Sequence, residues 1–315
     1  MRDLRIVFMG TPDFAVGILK SLVENNYNIV GVITAPDKPA GRGQKLATSA
    51  VKVYATSVGL NVLQPTNLKD ESFLQTLHSL NANLQIVVAF RMLPEVVWRM
   101  PELGTFNLHA SLLPAYRGAA PINWAIINGE TTTGVTTFFI DDKIDTGAVI
   151  LKEEITIEST DDMGTLHDKL MHLGEKTVLK TLDLIKKDQV ALTLQDVVTE
   201  HKTAYKLNRE NCKIDWQLSG THIVNLIRGL SPYPAAWTSV QHGDEILMIK
   251  IYKASFKMET HDLKTGTIVQ IQNQLLVALH DGFLVVESLQ LPNKRRMDVK
   301  DVLNGFSFKP SSFCF

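Results

Sequence analysis

The chain has 315 residues, 45% of them hydrophobic and 21% charged, a composition that fits a soluble globular protein long enough for two domains. The formal net charge of −1 argues against a surface that grips nucleic acid all over, and the two cysteines, Cys212 and Cys314, match neither a metal-ligand spacing nor a disulfide framework. No basic start leads into a long apolar run and no stretch of about 18 apolar residues occurs, so neither a signal peptide nor a membrane span is supported and a cytoplasmic protein is expected.

In chain order, "LRIVFMG" ending at Gly10, "NIVGVIT" ending at Thr34 and "LQIVVAF" ending at Phe90 are short, rich in β-branched residues and almost unbroken by polar ones. That pattern fits parallel strands buried on both faces and alternating with helices, a doubly wound α/β domain. "GTFNLHA" and "GVTTFFI" ending at Ile140 add two strands, and "PINWAIINGE" between them reads as a helix with Pro121 in its first turn. Met163, Leu166, Leu170 and Leu173 recur at helical spacing behind Asp162, predicting a helix that runs to about Lys187. A polar stretch follows. Beyond it lie one short helix, "GTHIVNLIRGL", and the strands "ILMIKIYKASF", "GTIVQI", "LLVALHD" and "FLVVESLQL". The expected division is a first domain over 1–189, a linker over 190–207 and a β-rich barrel or sandwich over 208–315. That last region carries 12 Lys and Arg against 10 Asp and Glu, too even a balance to mark it as RNA-binding.

Three segments could carry chemistry. Asn107 and His109 stand at i and i+2 of a strand, so both side chains leave one face, and the carboxyl end of a strand in an open α/β sheet is where ligands bind. An amide donor beside an imidazole suits an attacked carbonyl; a structural Asn–His pair at a strand end is the other reading. Downstream, Asp141, Asp142 and Asp145 follow a strand, and any one of them could orient His109 and accept a proton, or simply form a turn. The loop "APDKPAGRGQKL" carries Lys38, Arg42 and Lys45 among prolines and glycines, so it is either a phosphate-contacting loop or a solvated one. After the first strand, Pro12 and Ala15 stand where a dinucleotide fingerprint needs glycine, which disfavours NAD. No phosphate-loop or H-E-x-x-H motif is present.

Taken in order, "FMGTPDFAV", "TAPDKPAGRGQKL", "VLQPTNL", "NLHASLLPAYRGAAPI", "TGVTTFFIDDKIDTGAVI", "TAYKLNRENCKIDW" and "KRRMDVKDVLNGF" resemble the methionyl-tRNA formyltransferase family across essentially the whole chain. The resemblance implies a Rossmann-like formyltransferase domain followed by a small β-rich OB-like barrel. It implies catalysis by Asn107, His109 and Asp145, with 10-formyltetrahydrofolate as formyl donor lying along Ser111, Leu112, Leu113 and Pro114, and no metal. The implied partner is initiator methionyl-tRNA, met by Arg42, Lys38, Lys45 and Lys206, and the implied state is a monomer with no membrane attachment. A formyltransferase acting on an amino-sugar nucleotide is the alternative. Phe90-Arg91 and Ala115 depart from the commoner family pattern beside the expected folate pocket.

Overall fold

The structure, a computed structural model, describes residues 1–40, 45–196 and 202–315. The chain forms two compact units, one of Met1–Arg117, Thr133–Ile155 and His167–Lys202, the other of Gly118–Thr132, Thr156–Leu166 and Thr203–Phe315.

The first unit is built on β1 (Arg5–Gly10), β2 (Asn28–Ile33), β3 (Val62–Leu63), β4 (Leu84–Val88), β5 (Thr105–His109), β6 (Thr132–Phe139) and β7 (Val149–Thr156), in the sheet order β7-β6-β5-β4-β1-β2-β3. β3, β2, β1, β4 and β5 run parallel, and β6 joins β5 antiparallel. The sheet is therefore doubly wound and mostly parallel. Every residue of β4 is buried, and so are all but the first of β1, as strands covered on both faces require.

Helices α1 (Asp13–Glu24), α2 (Ala50–Ser57) and α3 (Glu71–Ser79) connect these strands. Ser49 caps α2 by accepting from the Lys52 amide, and Asp70 caps α3 by accepting from that of Phe73. The α4 segment (Pro121–Ile127), which belongs to the second unit, begins on proline as its sequence predicts, and the long α5 (Met163–Lys187), whose first turn also belongs to that unit, starts where Asp162 accepts from the Thr165 amide at 2.9 Å. Gly174 lets α5 press on β5: a Cβ there would lie 2.8 Å from Leu108 Cδ2. Leu108 thus points to the α5 side of the sheet, which sends Asn107 and His109 to the other face.

In the second unit, α6 (Gly220–Leu230) buries Ile223, Leu226, Ile227 and Leu230 at i, i+3, i+4 and i+7. These pack into one core with Ile251 of β9 (Glu245–Met258), Val240 of β8 (Ala236–His242), Val277 of β11 (Gln274–Leu279) and Leu284 of β12 (Gly282–Gln290). Together with β10 (Ile268–Ile271) and β13 (Phe313–Cys314) they make an antiparallel sheet in the order β10-β11-β12-β9-β8-β13. Its two edges meet through the Thr267–Phe313 bridge and the Cys314 amide donating to Gly266 at 2.8 Å, which closes the sheet into an OB-like barrel. No described helix is long and apolar enough to cross a membrane.

Candidate active site

β5 delivers Asn107 half-buried and His109 buried at the carboxyl edge of the sheet. The chain then doubles back, and the carbonyl of Tyr116 accepts from His109 Nε2 at 2.8 Å. A carbonyl oxygen cannot donate, so Nε2 carries the proton and Nδ1 is the ring nitrogen left for another partner. That nitrogen lies 3.9 Å from Asp145 Oδ2. The structure therefore separates the three aspartates that the sequence leaves equivalent. Asp141 is spent within its own turn, accepting from the Lys143 amide and the Thr146 hydroxyl, and Asp142 is exposed. Asp145 alone of the three faces His109, its backbone held at φ +55. The adjacent Gly147 has no room for a side chain, because a Cβ would sit 1.7 Å from the Phe139 carbonyl oxygen.

The loop between His109 and Tyr116 is shaped from within. Ser111, fully buried, donates to the Ala115 carbonyl at 2.7 Å, and Thr136 on β6 both donates to the Ser111 carbonyl and accepts from the Leu113 amide. Lys152 on β7 donates to the Leu113 carbonyl, and the Leu113 side chain is buried with Phe138 and Val149. Ser111 and Leu113 are thus committed to the loop, while Leu112 and Pro114 keep half-exposed apolar surface.

Sequence reasoning assigns no role to three residues of this neighbourhood: Tyr116 and Arg117, which lie within "NLHASLLPAYRGAAPI", and Gln195. The Gln195 side chain donates to the carbonyls of Asp145 at 3.0 Å and Gly147 at 2.8 Å and accepts from the guanidinium of Arg117 at 2.6 Å. It comes from a stretch whose composition reads only as a polar connector.

In the same unit, Lys38 is exposed on a short strand, Lys38–Ala40, paired with Lys45–Ala47. Arg42 lies outside the described residues, as does the side chain of Lys45. At the foot of this loop Asp37 accepts from Lys52 and, at 2.9 Å, from Gln64; these two hydrogen bonds hold its carboxyl below the usual carboxylate range. Lys206, in the second unit, is exposed, and its carbonyl accepts from the Asn211 side-chain Nδ2 at 3.0 Å. Among the described residues, no group of three or more His, Cys, Asp or Glu is placed to hold a metal ion.

The formyl transferase family matches residues 4–182, and the family of formyl transferase C-terminal domains matches residues 206–307. The methionyl-tRNA formyltransferase of Flavobacterium johnsoniae is 63% identical over 308 residues, covering 98% of either chain, and that of Flavobacterium psychrophilum is 60% identical over the full length of both. This chain belongs to the methionyl-tRNA formyltransferase family. Among solved structures, the sugar 3N-formyl transferase WlaRD superposes with a TM-score of 0.64 over 94% of this chain and all of its own, at 21% identity, a likeness of fold alone. Phe90-Arg91, expected beside the folate pocket, is tied into the backbone. The Arg91 guanidinium donates to the carbonyls of Pro65 and, at 2.9 Å, Thr66, and lies 5.6 Å from the centre of the Phe90 ring.

Proposed function

We propose that this chain transfers the formyl group of 10-formyltetrahydrofolate to the α-amino group of methionyl initiator tRNA, as a cytoplasmic monomer, giving N-formylmethionyl-tRNA for the start of translation. The observation that carries the reading is the pairing of Asp145 with the one free ring nitrogen of His109, two residues from Asn107 on the ligand-binding edge of the sheet. The acceptor rests on the family: relatives named methionyl-tRNA formyltransferase match at 60–63% identity over essentially the whole chain.

The amine nitrogen attacks the formyl carbon and negative charge grows on the formyl oxygen. Asn107 donates to that oxygen, and Asp145 takes the proton that the amine nitrogen releases and passes it to Nδ1 of His109. The imidazolium so formed donates to the same oxygen and, as the bond from carbon to N10 breaks, gives its proton to N10, which restores both groups. The formyl group arrives activated by its attachment to N10, so no metal is invoked. Leu112 and Pro114 offer apolar surface to the folate, while Ser111 and Leu113 fix the loop that presents them. Residues 1–189 carry the chemistry; Arg42, Lys38, Lys45, Lys206 and the region 208–315 meet the tRNA.

The test is turnover. Purified protein given 10-formyltetrahydrofolate and Met-tRNA is expected to release tetrahydrofolate and formylate the tRNA. Faster formylation of an amino-sugar nucleotide such as a dTDP-amino sugar overturns the acceptor, and release of no tetrahydrofolate with either acceptor overturns the chemistry.

A further inference from the structure

Two arms of chain flank His109: Tyr116, whose amide donates to the Lys202 carbonyl at 2.6 Å, lies in a turn that runs into the short strand Arg117–Gly118, and Asp145 lies in an irregular turn. One is the return loop that brings the Tyr116 carbonyl to Nε2; the other is the turn that brings Asp145 to Nδ1. One side chain joins them. The Gln195 Nε2 group divides its two hydrogens between the carbonyls of Asp145 and Gly147, and its Oε1 takes both Nη2 and, at 3.3 Å, Nε of Arg117, the residue after Tyr116. The orientation of the amide is forced, because a guanidinium only donates and carbonyls only accept. Gln195 is itself seated by Thr193, whose amide and carbonyl pair with those of Val149 at 2.9 and 2.8 Å on β7.

We infer that Gln195 is a positioning residue for formyl transfer: it clamps the Asp145 turn to the Tyr116–Arg117 loop and so fixes the carboxylate against His109. The inference rests on the role proposed above for Asp145. A main-chain shift of about 1 Å at a catalytic group can cost about 100-fold in rate, and the two carbonyls held by Gln195 are those of Asp145 itself and of Gly147 two residues later.

Two variants probe the clamp. Gln195→Met keeps the volume and removes every hydrogen bond. Gln195→Glu keeps the bonds from Arg117 and sets a carboxylate against two carbonyls, which breaks only the Asp145 side. Both are expected to lower kcat about 10- to 100-fold, with KM for 10-formyltetrahydrofolate and for Met-tRNA within about threefold of wild type. In an Asp145→Ala background, Gln195→Met is expected to cost less than about twofold further, since its effect runs through the missing carboxylate. A purely structural contribution would instead carry over undiminished into that background. Retention of kcat in Gln195→Glu, or an equal loss from Gln195→Met with and without Asp145, overturns the inference; should Gln195→Met fail to fold, Gln195→Glu decides alone. Full activity in Asp145→Ala by itself would overturn the proposed role of Asp145 and the clamp with it, whereas an inactive Asp145→Ala beside a fully active Gln195→Glu removes only the clamp.

Discussion

His109 Nε2 donates to the Tyr116 carbonyl at 2.8 Å, and that single bond decides which face of the imidazole meets Asp145. The carboxylate at 3.9 Å stands on the side of Nδ1, outside direct hydrogen-bond reach. Asn107→Ala, His109→Ala and Asp145→Ala are each expected to lower kcat by about 10²–10³, the usual cost of losing one preorganised group at a developing oxyanion. Steady-state rates on folded, soluble variants check this, and near-wild-type kcat in any one of them removes that residue from the mechanism.

The turn that carries Asp145 gives a second expectation. A methyl group on Gly147 would meet the Phe139 carbonyl at 1.7 Å, and neither backbone segment can give way cheaply, whereas at Gly305 nothing lies within 4 Å of the added carbon. Gly147→Ala should destabilise the protein by about 1–3 kcal/mol and reduce kcat, while Gly305→Ala should change stability by less than about 1 kcal/mol. Urea unfolding and a rate measurement on both variants test the contrast. Equal stability of the two would mean that the turn relaxes freely.

Much of this architecture is legible in the residues. The apolar runs at Arg5–Gly10 and Leu84–Val88, almost unbroken by polar residues, announce buried strands because burial on both faces leaves no regular polar alternation, and the i, i+2 spacing of Asn107 and His109 places them together. The closing strand Phe313–Cys314 is two residues long, too short for any periodicity, and it acquires its role only from partners far away in the chain, Gly266 and Val240. The same is true of the site. Which aspartate faces His109 depends on how a turn folds, and Gln195 acts through four hydrogen bonds to residues 48 to 78 positions away. No local pattern encodes such contacts.

The cysteines offer a probe of the barrel. Burial pushes both thiols up from their ordinary range, Cys314 the further, and only the thiolate reacts readily. In native protein neither thiol should react with Ellman's reagent on the timescale of an exposed cysteine, and both should react after unfolding. Because Cys314 lies on the strand that closes the barrel, its modification in urea should track the unfolding of the second unit. Rapid reaction of Cys314 in the native state would contradict the closure.

The loop foot should respond to acid. Lys52 and Gln64 depress the Asp37 carboxyl relative to the unfolded chain, so its contribution is fully present above the ordinary carboxylate pKa of about 4 and is lost as the pH falls through the lower folded-state value. The stability gap between wild type and Asp37→Asn, read from urea midpoints, should be constant between about pH 7 and 5 and shrink at lower pH. A gap that grows on acidification would reverse the sign and refute the assignment.

Recognition of the acceptor should separate from the chemistry. Lys38 and Lys206 are exposed, and a surface charge that takes no part in the chemistry is useful only to a long polyanion such as tRNA. Arg42→Ala and Lys206→Ala should therefore raise KM for Met-tRNA, each by about tenfold if it neutralises one phosphate in direct contact, while leaving folate binding and the intrinsic transfer step unchanged. Each lost phosphate contact should also reduce the dependence of log K on log salt by about 0.9 for a duplex stem. Titrating Met-tRNA against wild type and both variants at several salt concentrations, with folate binding measured in parallel, separates the two functions. If the variants bind Met-tRNA with unchanged affinity and salt slope, these side chains do not meet the tRNA; if they lose folate binding instead, they belong to the pocket and the division between chemistry and recognition fails.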